Sequence, residues 1–301
     1  MLKIAWAPCY KHALLPPDHR FPMIKYELLP EQLLYEGTIG ADNLFEPQPI
    51  ALPHILRVHN EAYWKDLKEG TLAKAAIRKI GFPLSPELVH RECTIMQGTL
   101  QCADYALQYG VAMNIAGGTH HAYADRGEGF CLLNDIAIAA QYLLAKGKAQ
   151  KVLVIDLDVH QGNGTASIFQ YNEAVFTFSM HGAHNYPLHK ESSDWDIPLP
   201  DGIGDEAYLS LLASALPQLY DKVQPDFVFY QSGVDVLASD KLGRLGLSLE
   251  GCKKRDELVL RWCKQHGLPV VASMGGGYSP KISDIIEAHA NTFRLAQAIF
   301  F

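Results

Sequence analysis

Four short apolar runs, each closed by a polar cluster, constrain this chain most. Val111 to Ala116 leads into Gly117-Gly118-Thr119-His120-His121, and Lys151 to Ile155 into Asp156-Leu157-Asp158-Val159-His160. Asp226 to Tyr230 leads into Gly233-Val234-Asp235, and Pro269 to Ser273 into Gly275-Gly276-Gly277-Tyr278. Helical spacing fills the intervals, over 87–109, 134–146, 164–171, 205–222, 249–266 and 280–299. Apolar strands alternating with amphipathic helices make βαβ units. The pattern predicts an α/β fold, with a doubly wound, mainly parallel sheet and helices on both faces. Ligands bind such sheets at the carboxyl ends of the strands. The four clusters are therefore expected to converge on one site.

The rest of the chain is read the same way. An opening strand is expected over 2–7, helices over 23–36, 54–67 and 71–80, an extended stretch over 47–52, and a strand over 174–180. Long loops are expected at 16–22, 181–204 and 236–248, and long loops in compact domains are often functional. No Gly/Ser-rich linker or repeat divides the 301 residues, so 1–301 is expected to form a single domain. The formal charge of −7 argues against a nucleic-acid partner, which usually meets a basic field. No run approaches the ~20 apolar residues of a membrane span. Six cysteines show no C-x-x-C pair and no disulfide framework. These features predict free thiols, a cytoplasmic location and no membrane partner.

In an extended segment, alternate side chains share a face. Asp156, Asp158 and His160 would then lie together, opposite Leu157 and Val159. Two buried acids repel unless a cation joins them. Asp158 and His160 make a two-ligand arm, and Asp235 a third ligand. An Asp2His set leaves a position open for water or substrate, as catalytic metal sites do. A lone D-x-D would more simply cap a helix or meet a lysine; the added histidine and the other strand ends favour the metal. His120 and His121 suit general acid–base work, since imidazole titrates near neutral pH. They suit metal ligation or a structural pair as well. Tyr278, after three glycines, is either an oxyanion donor or a tyrosine packed beside a loop. The layout implies a metal-dependent hydrolase.

These residues resemble the histone deacetylase family of the arginase/deacetylase fold. The resemblance rests on GGTHHAYADRGEGFCLLNDIAIA at 117–139, KVLVIDLDVHQGNGTASIF at 151–169, SGVDVLASDKLGRLGLS at 232–248 and MGGGYSP at 274–280. The wording is closer to the class IV branch and its bacterial relatives than to class I. The resemblance implies Zn2+, or in some members Fe2+, on Asp158, His160 and Asp235. It implies His121 as general base and then acid, with His120 hydrogen-bonding the water. It implies Tyr278 as donor to the oxyanion, and Asp156 and Asn163 as the partners that orient His120 and His121. Asp156 and Ser179 would also touch a structural K+. Gly129, Phe130, Tyr186, Leu242 and Gly276 would line the substrate tunnel, and Arg20 would be an internal-channel arginine.

The implied substrate is an acylated lysine of a protein or a small acylated amine such as an acetylpolyamine. The class IV likeness favours longer acyl chains. Asn163 departs from the family, much of which has an aspartate there, and an amide supports an imidazolium less well. Two rivals are weighed. A binuclear arginase-type hydrolase needs further carboxylates, but Gly162 and Leu237 stand at the positions that follow the D-x-H and D-x arms. A non-catalytic acyl-lysine reader could dispense with His121 or Tyr278, and both are present.

Overall fold

The structure, a computed structural model, describes residues 1–11, 15–16 and 19–301. Pro17 and Asp18, part of the expected 16–22 loop, lie outside the described residues. Among the described residues, eight strands form one sheet: β1 (Lys3–Ala5), β2 (Leu44–Phe45), β3 (Val111–Asn114), β4 (Val152–Asp156), β5 (Val175–Gly182), β6 (Trp195–Leu199), β7 (Phe227–Gln231) and β8 (Val270–Ser273). Their order is β2-β1-β3-β8-β7-β4-β5-β6. Every described pairing between these strands is parallel.

All residues of β3, β4, β7 and β8 are buried. Strands buried throughout are those with both faces covered, which explains why they read as unbroken apolar runs. The helices are α1 (Lys25–Tyr35), α2 (Leu52–Ile55), α3 (Glu61–Glu69), α4 (Lys74–Ile80), α5 (Pro86–Tyr109), α6 (Asp135–Ala145), α7 (Asn163–Phe169), α8 (Asp205–Val223), α9 (Leu249–Gln265) and α10 (Ile282–Phe300). One set packs around α5, which meets β1, β3, β8 and α6; the other runs α1–α10–α9–α8. The long helices start at their sequence signals. Ser85 Oγ accepts from Leu88 N with Pro86 next in line, Asn134 Oδ1 accepts from Ala137 N, and Ser248 Oγ from Gly251 N.

The four clusters follow β3, β4, β7 and β8, and those strands are consecutive neighbours, β3-β8-β7-β4. Sequence order hides this: the chain lays β4, β5 and β6 outward, then returns to insert β7 and β8 in the centre. Two local expectations fail. The stretch 54–67 is not one helix, because Asn60 is extended and its N–H donates to Ala124 O at 2.8 Å, dividing α2 from α3. Residues 47–51 stand in no helix or strand, with Ala51 extended before α2 begins at Leu52, and β2 lies just earlier, at Leu44–Phe45. The loop 181–204 contains edge strand β6, which Pro198 disguises, since proline is tolerated in a sheet mainly at edges.

Candidate active site

Asp156 ends β4, and the turn after it carries Asp158 and His160; Asp235 follows β7. His160 Nδ1 stands 3.1 Å from Asp158 Oδ1 and 3.1 Å from Asp235 Oδ2. One donor atom from each of these three buried residues lies within 4.8 Å of the others. The other contacts fix the carboxylates. Val159 N donates to Asp235 Oδ1 at 3.0 Å, and Gly276 N to Asp158 Oδ2 at 2.9 Å. Glycine makes the approach feasible. A Cβ on Gly233 would come within 2.1 Å of Asp158 Oδ2, and one on Gly276 within 2.0 Å of Asp235 Oδ2.

Crowding shows in the charges. Burial and the neighbouring Asp158 push Asp235 up to about 7. Burial also opposes ionisation of Asp158, but His120 and His160 outweigh it and hold that carboxyl well below its usual range. Burial disfavours the charged form of His160 too, yet Asp158 and Asp235 raise it to about 10. Two acids and an imidazole held this close, out of water, are a donor set that suits a divalent cation. Beneath them, the buried Arg255 donates to Leu157 O (3.2 Å), Gly233 O (2.6 Å) and Ser232 O (3.2 Å), tying the ends of β4 and β7 together.

The turn after β3 supplies the two imidazoles, whose ring centroids are 4.1 Å apart. Gly117 and Gly118 have φ of 82° and 75°, a region that favours glycine. Asp135, fully buried, accepts from Gly118 N (3.0 Å), Thr119 N (2.8 Å) and Thr119 Oγ1 (2.8 Å), and so holds the turn. Gln231 Nε2 donates to Gly118 O at 2.9 Å. His120 Nδ1 pairs with Asp156 Oδ2 at 2.7 Å, and His121 Nδ1 with Asn163 Oδ1 at 2.6 Å.

The environments drive these neighbours apart. Burial disfavours a charged His120, but Asp156 and Asp158 prevail and raise it to about 9. Burial, then the charges of His120 and His160, press His121 well below its ordinary value. A neutral His121 donates its Nδ1–H to the Asn163 carbonyl oxygen, which leaves Nε2 as an acceptor. Asn163 Nδ2 in turn donates to Tyr123 OH at 2.9 Å.

Tyr278 N donates to Asp240 Oδ2 at 2.6 Å, and the phenol hydroxyl bonds to no described residue. Burial and the charges of Asp235 and Asp158 keep that phenol protonated, far above its ordinary titration range. Asp240 also accepts from Leu242 N (2.8 Å) and Gly243 N (2.9 Å), which links Tyr278 to the opposite wall. A cavity of about 210 Å³ leads outward from here, lined by His121, Gly129, Phe130, His160, Tyr186, Leu242, Tyr278, Arg20 and Lys79. Phe130 has φ 68°, strained for a side-chain-bearing residue, and its N–H is tied to Ile80 O at 2.7 Å. Tyr186 stands edge-on to His121, centroids 5.1 Å apart, and donates to Glu128 Oε2 at 2.7 Å.

All the residues expected to line a tunnel thus meet at this site, although Gly276 lies at its floor. Arg20 is not internal. It is exposed, 5.2 Å from the Phe130 ring at the mouth. A smaller inner cavity of about 40 Å³ is lined instead by the buried Arg91, with Tyr26, Ile95 and Cys131 among others. Arg20 was singled out by its neighbours in sequence; Arg91 lies in the second turn of α5, where helical periodicity alone marks it as one more polar residue. Ser179 stands beside Asp156 across β4 and β5, and its hydroxyl contacts His181 Nδ1 at 2.9 Å. Asp135, Gln231, Asp240 and Arg255 carried no assignment from sequence. Gln231 closes an apolar run and Asp135 opens one, a faint signal, whereas Asp240 and Arg255 stand among other polar residues that hide them.

A parallel α/β sheet with acid, imidazole and phenol gathered at its carboxyl edge defines the arginase/deacetylase class of hydrolase. The histone deacetylase domain model matches residues 19–293, and the chain belongs to the histone deacetylase family. It is 44% identical over 286 residues to an uncharacterized protein of Picosynechococcus sp., covering 95% of each chain. It is 31% identical to histone deacetylase clr6 of Schizosaccharomyces pombe, covering 89% of this chain and 69% of the other. Among solved structures, an HDAC homolog complexed with SAHA superposes with a TM-score of 0.86 at 25% identity, covering 99% of this chain and 84% of that one. Among the described residues, no helix is long and apolar enough to cross a membrane.

Proposed function

We propose that this member of the family is a zinc-dependent deacetylase that hydrolyses the side-chain amide of acetyl-lysine in a protein or peptide. The observation that carries the reading is the buried Asp158–His160–Asp235 set lying beside His120, His121 and Tyr278 at the base of one tunnel. Zinc held by that set would supply Lewis acidity, polarising the amide carbonyl and making water acidic near neutral pH.

The chain's own groups do the rest. His121, neutral, takes the proton of the attacking water at Nε2 and returns it to the lysine amine as it leaves. His120, held by Asp156, donates to the water and stabilises developing negative charge. The protonated Tyr278 phenol donates to the carbonyl oxygen as it becomes an oxyanion. Phe130, Tyr186 and Leu242 surround the methylene stem and exclude bulk water.

Two features narrow the substrate. The inner cavity of about 40 Å³ has room for an acetyl methyl and a few waters, and a guanidinium lines it, so a long acyl chain fits it poorly. At the mouth, Arg20 and Lys79 are cations, while the carboxylate of Glu128 is already engaged by Tyr186 and Arg126. That rim favours a peptide over a polycationic acetylpolyamine. Oxygen donors from Asp156 and Ser179 suit a hard monovalent ion, and we place a structural K+ beside them. Six free thiols are consistent with a reducing cytoplasm.

The test is hydrolysis by zinc-loaded protein of acetyl-lysine, butyryl-lysine and myristoyl-lysine peptides and of acetylspermidine, with and without a chelator. Acetyl-lysine turnover that the chelator abolishes and SAHA blocks is expected. Turnover unaffected by zinc removal, or faster on acetylspermidine, would overturn the reading.

A further inference from the structure

Lys25 opens α1 and is fully buried, an unusual place for an ammonium. It forms no ion pair with any described carboxylate, and its one described hydrogen bond goes to Gly275 O, at 3.1 Å. Three aromatic rings surround the nitrogen: Phe21, Tyr26 and Tyr278, with centroids 5.0, 5.4 and 5.6 Å away. Aromatic faces attract a cation, most of all where water is excluded. Burial lowers its pKa to about 8, against the opposing pull of Asp235, Asp158 and Asp240.

The segment that Lys25 touches cannot hold itself. Residues 275–277 are all glycine, and Gly275 has φ 69°. A Cβ there would sit 2.9 Å from both Gln231 Nε2 and Gly233 Cα, so no side chain of the segment itself could fix it. Its course is set by bonds from outside. Gly276 N donates to Asp158, Val234 N donates to Gly276 O at 2.9 Å, Tyr278 N donates to Asp240, and Lys25 donates to Gly275 O. Among the described side chains that hold the segment, Lys25 is the cation, and it lies against the ring of Tyr278.

We infer that Lys25 is a positioning residue for the reaction, anchoring the triple-glycine segment so that the Tyr278 phenol is preset over the substrate carbonyl and backed by positive charge. The inference rests on the amide-hydrolase reading. It makes Lys25 necessary for transition-state stabilisation and dispensable for zinc binding and for gripping the lysine stem.

The experiment compares Lys25→Met and Lys25→Arg with the unaltered protein on one acetyl-lysine peptide, each with measured zinc content. The Met variant is expected to lose ~10-fold or more in kcat with KM changed less than ~2-fold, as removal of an interaction made only in the transition state does. The Arg variant, which keeps charge and donor, is expected to recover most of the loss. In the same Met variant with its zinc in place, the amides of residues 275–278 should exchange with deuterium ~10-fold faster or more than in the unaltered protein, while the strands keep their protection. An unaltered protein that fails on the peptide refutes the function reading and not this one, and the exchange result still decides it. Unchanged kcat and exchange in the Met variant, equal losses in Met and Arg, or a defect confined to KM or zinc content would each overturn the role of Lys25.

Discussion

Asp158, His160 and Asp235, at the floor of the site, are at most 8% exposed; Arg20, Tyr186 and Lys79, at its mouth, stand in solvent. The floor follows the ends of central strands, and its carboxylate oxygens are engaged by Val159 N, Gly276 N and the His160 ring. The mouth is assembled from loops, with Tyr186 reaching across to Glu128. At the floor, a change of one atom leaves a buried charge without its partner, whereas at the mouth water can replace what is lost. On the proposed function, chemistry is built where the fold is least forgiving, and selectivity where it is most tolerant.

Substitutions at increasing distance from the floor should grade accordingly. Asp235→Ala should act most strongly. Zinc affinity should fall by more than the ~10–100-fold typical of groups that merely orient a ligand, read by elemental analysis, and turnover should fall to background. Full zinc occupancy in that variant would remove Asp235 from the ligand set. Tyr278→Phe comes next, lowering kcat ~10²-fold or more with zinc retained. Turnover at the unaltered rate would remove the phenol from the mechanism.

Asn163→Asp tests the border between the two regions. His121 must be neutral to accept a proton, and a carboxylate at Nδ1 favours the charged ring. The acid limb of kcat/KM should therefore move to higher pH, by ~1–3 units. A shift to lower pH, or none, would show that His121 is not the group titrating in that limb. At the mouth, Tyr186→Ala should raise KM by ~2–10-fold, the worth of one aromatic contact, with kcat nearly kept. Arg20→Glu should do least, shifting preference from acetyl-lysine peptide toward acetylspermidine by ~2–5-fold at low salt, and less as salt screens the rim. A mouth variant that cost more than Tyr278→Phe would break the comparison.

The same division explains what could be read from the sequence. β3, β4, β7 and β8 are buried on both faces, so their apolar runs are unbroken and their ends unmistakable; the clusters after them named the floor. β2, two residues long, and β6, with Pro198 inside it, carry no such pattern. Arg20 was misplaced because its neighbours in sequence say nothing of the turn that carries it to the surface. Lys25, Asp135, Asp240 and Arg255 act through backbone groups up to 250 residues away. Such pairings depend on the order in which strands are inserted, which no local window contains.

The sheet's margins have a consequence of their own. An exposed, regular margin invites another chain to add on, the first step of ordered aggregation. Here one border is only two residues long, and the other contains an imino acid with no hydrogen to offer a newcomer. The fully buried apolar strands β3, β4, β7 and β8 are all interior, so this polypeptide concentrates its most β-prone segments at its centre, away from the borders where a newcomer could add.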